Sequence, residues 1–214
     1  MDSKVFYKND IIYRAIPKNA STYTKVKILD MNDARLCTDM DDDFDDKTVN
    51  AFFVIVRNPI ERFYSAIAED ARTQLVSDNH DLGRFNEEEK VRVLFEKIYH
   101  EVYEQQKSFK ETYSTWENFG LMHMRPQNHF LYNKNDEDIR NKVTNYFRVD
   151  EGNLEPINTF LGDHGLPQFD TDSYNKMPSD KLTRAKSQIE CFNVHMDPFL
   201  EWVYKDDFEL LESV

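Results

Sequence analysis

Lys18, Ser21 and Thr22 stand close together in the stretch AIPKNASTYTKV, residues 15 to 26, between a short apolar run and a segment with helical spacing. A lysine brings a mobile positive charge, hydroxyls cap a helix and donate hydrogen bonds, and the first turn of a helix points unpaired N–H groups outward. Those residue types suit a phosphate or sulfate group. The same letters also describe an ordinary turn with an N-cap and a surface lysine. A nucleoside-triphosphate loop needs G-x-x-x-x-G-K-[ST], and the first of the chain's five glycines is Gly83, so a Walker A loop is absent. For proton transfer near neutrality histidine is the natural group, and the chain has six: His80, His100, His123, His129, His164 and His195.

The elements that must position these groups follow from hydrophobic spacing. Ile11 to Ile16 reads as a buried strand, and Thr22 to about Leu36 as a helix with Val26, Ile28, Leu29 and Met31 on one side. AFFVIV, residues 51 to 56, is β-branched and aromatic without alternation, as a central parallel strand covered on both faces would be. It ends in RNP, and Pro59 suits the first turn of a helix running through IERFYSAIAED. An amphipathic helix is predicted from about Asn86 to Gln105, and a polar and aromatic connection, a candidate flap, follows up to residue 120. Residues 145 to 150 read as a third strand, NLEPINTFLGDHG as a helix that Gly165 ends, and residues 179 to 202 as a last helix. Strands alternating with helices predict an α/β domain with a mostly parallel central sheet flanked by helices. With no repeat or linker in view, residues 1–214 read as one domain.

Composition narrows the partners. The 214 residues are 40 % hydrophobic, enough for a sizeable core. Forty acidic against 27 basic side chains give a net charge of −13, which argues against a general nucleic-acid or anionic-membrane binder. The run DMDDDFDDKTVN reads as a solvated loop. Two distant cysteines, Cys37 and Cys191, make neither a disulfide framework nor a zinc site. AFFVIV is far short of the ~20 residues needed to cross a bilayer, and the charged N-terminus lacks the apolar core of a signal peptide. A soluble, cytoplasmic protein without a membrane span is the expectation.

Arg57 closes the second strand and Ser65 follows eight residues later, about two helical turns on, within VIVRNPIERFYSAI. Together with IPKNASTYT this segment resembles the sulfotransferases that use 3'-phosphoadenosine 5'-phosphosulfate (PAPS) as donor. In that family a P-K-x-x-x-T loop binds the 5'-phosphosulfate, and the first Arg and the Ser of R-x-P-x-x-R-x-x-S bind the 3'-phosphate. The wording is similar to the carbohydrate branch, such as heparan 2-O- and chondroitin-type enzymes. HMRPQ, residues 123 to 127, resembles that branch's H-W-x-P-Q segment with Met124 in place of the aromatic, and VYKDDFELL resembles its Y-x-x-D-F ending.

The resemblance implies a three-layer, P-loop-like fold, PAPS as co-substrate, adenosine 3',5'-bisphosphate (PAP) as product, and no metal. Lys18, Asn19, Ala20, Ser21, Thr22 and Tyr23 would line the phosphosulfate, and Arg57 and Ser65 would hold the 3'-phosphate, where a bidentate guanidinium suits a dianion. Lys18 would also stabilise the leaving phosphate, and His123 would take the acceptor's proton. His129, Glu69 and Asp70 are the other candidate bases. Arg62 reads as an exposed helix residue paired with Glu61. Arg125, Tyr113 and Trp116 are either acceptor contacts or packing. The acceptor is a hydroxyl, of a glycan or a small molecule. The lack of anchor and disulfides departs from Golgi relatives and would suit a bacterial or viral enzyme. A P-loop-like kinase and a non-catalytic bisphosphate-binding protein are the competing expectations.

Overall fold

Strand β4, Ala51–Val56, is buried at all six positions, which its unbroken apolar sequence predicts. Because successive side chains point to opposite faces, Ala51, Phe53 and Ile55 enter one apolar cluster, while Phe52, Val54 and Val56 enter another. The computed structural model describes residues 5–8, 10–20, 24, 35–37, 49–73, 85–105, 121–132, 137–149, 153–170, 179–190 and 196–214.

These residues group into two compact units. Unit 1 comprises Met1–Asn58, Gln127–Asn175 and Glu209–Val214, and unit 2 comprises Pro59–Pro126 and Lys176–Phe208. Unit 1 is built on a five-stranded sheet in the order β3-β1-β2-β4-β5, with β1 Val5–Lys8, β2 Ile11–Arg14, β3 Arg35–Cys37 and β5 Asn145–Arg148. β2, β4 and β5 run parallel, with Tyr13 opposite Phe53 and Phe53 opposite Asn145. Tyr13 and Phe53 also stack, their ring centroids 4.9 Å apart. β1 pairs antiparallel with both β2 and β3, so the sheet is a parallel trio extended by an antiparallel edge. The α/β class holds, and the antiparallel edge is an addition that the sequence did not announce.

Helices and turns cover both faces of this sheet within unit 1. Helix α3, Glu155–Asp163, places Ile157 and Leu161 against Tyr13, Phe53 and Ile55, and each such side chain is worth roughly 1.5–3 kcal/mol of burial. It ends as predicted at Gly165, whose φ is +65°. Leu166 N–H reaches Leu161 O at 2.7 Å and Gly165 N–H reaches Gly162 O at 3.0 Å, the two bonds of a Schellman end, with Leu166 and Leu161 in one cluster. The opposite face is covered by Phe130, Leu131, Ile139 and Leu210.

Unit 2 is helical. Helix α1, Pro59–Thr73, begins at the expected proline, and α2, Glu87–Ile98, is opened by a capping box between Asn86 and Glu89. The predicted helix to Gln105 continues as a wider π-helical turn over Tyr99–Glu104. The predicted last helix is present as α4, Ser179–Glu190, and α5, Met196–Val203, followed by α6, Lys205–Glu212. Phe63, Phe95, Phe199 and Tyr204 meet edge to face in the core of this unit.

Two other expectations change. Of the helix predicted from Thr22 to Leu36, Thr24, Arg35 and Leu36 are described, and its end is strand β3, where Leu36 pairs with Phe6. A cross-strand partner distant in sequence overrides local helical spacing there. Arg62, expected as an exposed helix residue, is fully buried. It lies with Phe63, Ala66, Ile67, Asp70 and Ala71 on the inward stripe of α1, at i, i+1, i+4, i+5, i+8 and i+9. The acidic run and the candidate flap with Tyr113 and Trp116 lie outside the described residues, apart from Val49 and Asn50.

Candidate functional site

In unit 1 the chain leaves β2 through Ala15 and Ile16 into a turn at residues 17–20, where Lys18 has φ +67° and Ala20 φ +58°. Neither residue is glycine, so each holds a left-handed conformation that costs an L-residue ~1–2 kcal/mol. Pro17 is kept at negative φ by its ring and Asn19 is not left-handed, so the sign of φ alternates along the turn. Alternation of this kind is the backbone habit of anion-binding nests. Ala20 O then accepts from Thr24 N–H at 3.0 Å and from Thr24 Oγ1 at 3.1 Å, which makes Ala20 the acceptor of a first helical bond. Lys18 is half-buried, and Ser21, Thr22 and Tyr23 lie outside the described residues.

Asn19 is fully buried and its side chain turns inward. Its amide donates to Ile55 O of β4 at 2.9 Å and to Gln127 Oε1 at 2.5 Å, and its own N–H bonds Ile16 O at 3.3 Å. The expected phosphosulfate contact thus also fastens the loop through its amide nitrogen and backbone N–H, while its enclosed Oδ1 has no hydrogen-bond partner.

Gln127 holds Arg57 in the same way. Arg57 N–H donates to Gln127 Oε1 at 2.9 Å, and Gln127 Nε2 donates to Arg57 O at 2.7 Å. A buried side-chain amide thus pairs with a backbone as a neighbouring strand would, at the end of β4, and also receives Asn19. The ends of adjacent parallel strands β2 and β4, where open α/β sheets bind ligands, are tied through one glutamine. HMRPQ drew notice for its histidine, and the role of its glutamine emerges only from the fold.

In unit 2, Ser65 is buried on α1, and His123 closes on Asp70. His123 Nδ1 and Asp70 Oδ1 are 2.5 Å apart, with the imidazole 32 % and the carboxylate 2 % exposed. Two sequence candidates for the base are thus partners. The segment that carries His123 is held at consecutive carbonyls. Tyr204 Oη donates to Met124 O at 2.6 Å, and Arg62 Nη1 donates to Arg125 O. Burial pushes the Tyr204 phenol far above its ordinary range, opposed by the nearby Arg62 cation and assisted by the Asp207 carboxylate.

The remaining histidines are employed locally or lie out of view. His100 bonds Glu104 at an exposed position, His164 bonds Phe160 O, and His129 is half-buried. His80 and His195 fall outside the described residues. Among the described residues no three His, Cys, Asp or Glu side chains gather as metal ligands, and no helix is long and apolar enough to cross a membrane. Comparison of the chain with protein-family models, curated proteins and solved structures finds no match.

Proposed function

We propose that the chain is a sulfotransferase, with a three-layer P-loop-like arrangement, that moves the sulfuryl group of PAPS to a hydroxyl of a carbohydrate or small molecule. The observation that carries this reading is that the quoted motif stretches are tied to one another by buried and part-buried hydrogen bonds. IPKNAST joins HMRPQ through Asn19 and Gln127, RNPIER joins it through Arg57 and Arg62, and YKDDF joins it through Tyr204. Within unit 1 the IPKNAST turn and Arg57 share one glutamine, and within unit 2 Arg62 and Tyr204 hold the two residues after His123, pairings that a common task would explain.

In this reading the 5'-phosphosulfate lies on the strained turn at Lys18, and the 3'-phosphate is held by Arg57 and Ser65. Asn19 fastens the turn and leaves anion contact to Lys18 and its neighbours. His123 Nε2 takes the proton of the acceptor hydroxyl as its oxygen attacks sulfur. The sulfur–oxygen bond to the phosphate breaks, and PAP departs with the electron pair, its new charge met by Lys18. Transfer of this kind depends on alignment and on cations placed in advance, as phosphoryl transfer does.

The test incubates the full chain with radiolabelled PAPS and a panel of sugars, glycans, alcohols and tyrosine peptides. Transfer is expected to fall by about 100-fold or more in Lys18→Ala, by analogy with loss of one oxyanion donor. Unchanged transfer in that variant removes Lys18 from the chemistry. Tighter binding of ATP than of PAP by calorimetry rejects the reading in favour of a kinase, and PAP binding without transfer to any acceptor makes the chain a binding protein.

A further inference from the structure

Resting on the proposed transfer, we infer that Asp70 is the residue that makes His123 a base, by fixing the imidazole proton on Nδ1 so that Nε2 faces the acceptor bare. An ionised carboxylate can only accept a hydrogen bond. Asp70 Oδ1 at 2.5 Å from Nδ1 therefore calls for a proton on that nitrogen. The neutral ring then has its lone pair on Nε2, which has no hydrogen-bond partner among the described residues.

Burial gives this pairing its directionality. Asp70 is almost wholly enclosed, so little water competes for its oxygen, whereas a third of the imidazole remains exposed. An enclosed carboxylate behind a ring with an open edge is the division of labour that a proton acceptor needs. Asp70 fixes tautomer and orientation and steadies the imidazolium that forms. His123 receives the proton from the acceptor oxygen and later releases it from its exposed side to water. Asp70 is a positioning residue: it touches neither sulfur nor acceptor.

The local build keeps the ring in place. Asp70 lies on the buried stripe of α1, two turns beyond Arg62, and Arg62 holds the Arg125 carbonyl two residues from His123. Tyr204 holds the Met124 carbonyl directly after it. With its flanking backbone fixed in this way, the imidazole meets the Asp70 carboxylate. Glu69, the neighbouring acid, is half-buried rather than enclosed.

The experiment records long-range 1H–15N correlations of the imidazole groups in the full-length, 15N-labelled protein, with His123 assigned by loss of its signals in His123→Gln. The wild type is expected to show neutral His123 protonated on Nδ1. Asp70→Asn is expected to shift the population toward the Nε2-protonated form, because an amide can donate to Nδ1. It should also lower kcat by about 10²- to 10⁴-fold, the range of a general base, while PAP affinity stays within about twofold. A purely structural Asp70 would not move the tautomer.

A wild-type ring protonated on Nε2, or an Asp70→Asn protein with unchanged tautomer and rate, overturns the inference. Should Asp70→Asn fail to fold, the wild-type spectrum alone decides between the two tautomers. The expected tautomers without sulfuryl transfer to any acceptor would sustain the pairing and reject the sulfotransferase reading, so the two failures are distinct.

Discussion

The two units bury different kinds of polar group. Among the described residues, unit 1 encloses Arg14, Asn19, Thr24, Gln127 and Asn128, of which only Arg14 is ionisable. Unit 2 encloses Arg62, Ser65, Asp70, Lys90, Arg125 and Asp207, where all but Ser65 carry or can carry charge. Neutral amides suit a task in which geometry alone matters, because their hydrogen bonds are directional and indifferent to pH. Enclosed charges cost more desolvation and hold only when closely matched, yet they can position and steady a proton. In unit 1 such amides fasten the turn and the strand end, and in unit 2 an enclosed carboxylate holds His123.

The largest expected effect tests the neutral side of that contrast. Gln127→Ala removes two part-buried bonds with Arg57 and one buried bond from Asn19, at ~1 kcal/mol each net. A loss of about 2–3 kcal/mol is expected in urea unfolding, together with a fall of tenfold or more in PAP affinity. Because no bond in the set joins charges, both losses should be nearly the same at low and high salt. A salt-dependent loss of stability would show that the contrast between units is drawn wrongly.

How much of this was legible in the sequence depended on whether the deciding partner was local. AFFVIV announced a strand covered on both faces, and Gly165 announced the end of α3, because each signal lies within the element that it shapes. β3 was read as helix because its partner, β1, lies some thirty residues away. The limits of the two units include Asn58–Pro59 and Pro126–Gln127, where neither composition nor a linker marks them. In the site, Lys18 and Arg57 were noticeable because charges advertise chemistry. Gln127 and Tyr204 were not, since an amide and a phenol acquire meaning only from the carbonyls and amides that they meet. Arg62 was misread because spacing assigns a residue to a face, and a charge was taken to mean the outer one.

A middle-sized effect tests the charged side. Tyr204→Phe deletes the bond to Met124 O and should cost about 1–2 kcal/mol at pH 8. Its pH dependence has a definite sign. The folded phenol titrates far above its ordinary value of 10.0, so it stays protonated where the unfolded chain has begun to ionise. The stability that it contributes is fully present below about pH 10 and is lost as pH rises above that. The gap between wild type and Tyr204→Phe should therefore narrow steadily in urea titrations above pH 10. A gap that stays constant there would mean that the phenol is less enclosed than Arg62, Asp207 and the surrounding aromatic rings imply.

The smallest effect probes the strain at the donor turn, and its direction matters more than its size. Ala20 is held at φ +58° beside Lys18 at +67°, in a loop that contains no glycine. Glycine adopts that region without the steric cost, of ~1–2 kcal/mol, that alanine bears. It also loses more chain entropy on folding and would give up the contact of the Ala20 methyl with the Tyr13 and Phe53 cluster. Ala20→Gly should therefore gain only about 0.5 kcal/mol, read as a rise in urea midpoint with unchanged slope. If the turn's left-handed residues are kept because they aim backbone N–H groups at an anion, the gain should come with weaker PAP binding, since a glycine turn is freer to relax. A variant that is more stable and binds equally well would separate the strain from the site and leave the turn as a costly corner of unit 1. A variant that loses stability would show that the methyl packing outweighs the left-handed cost.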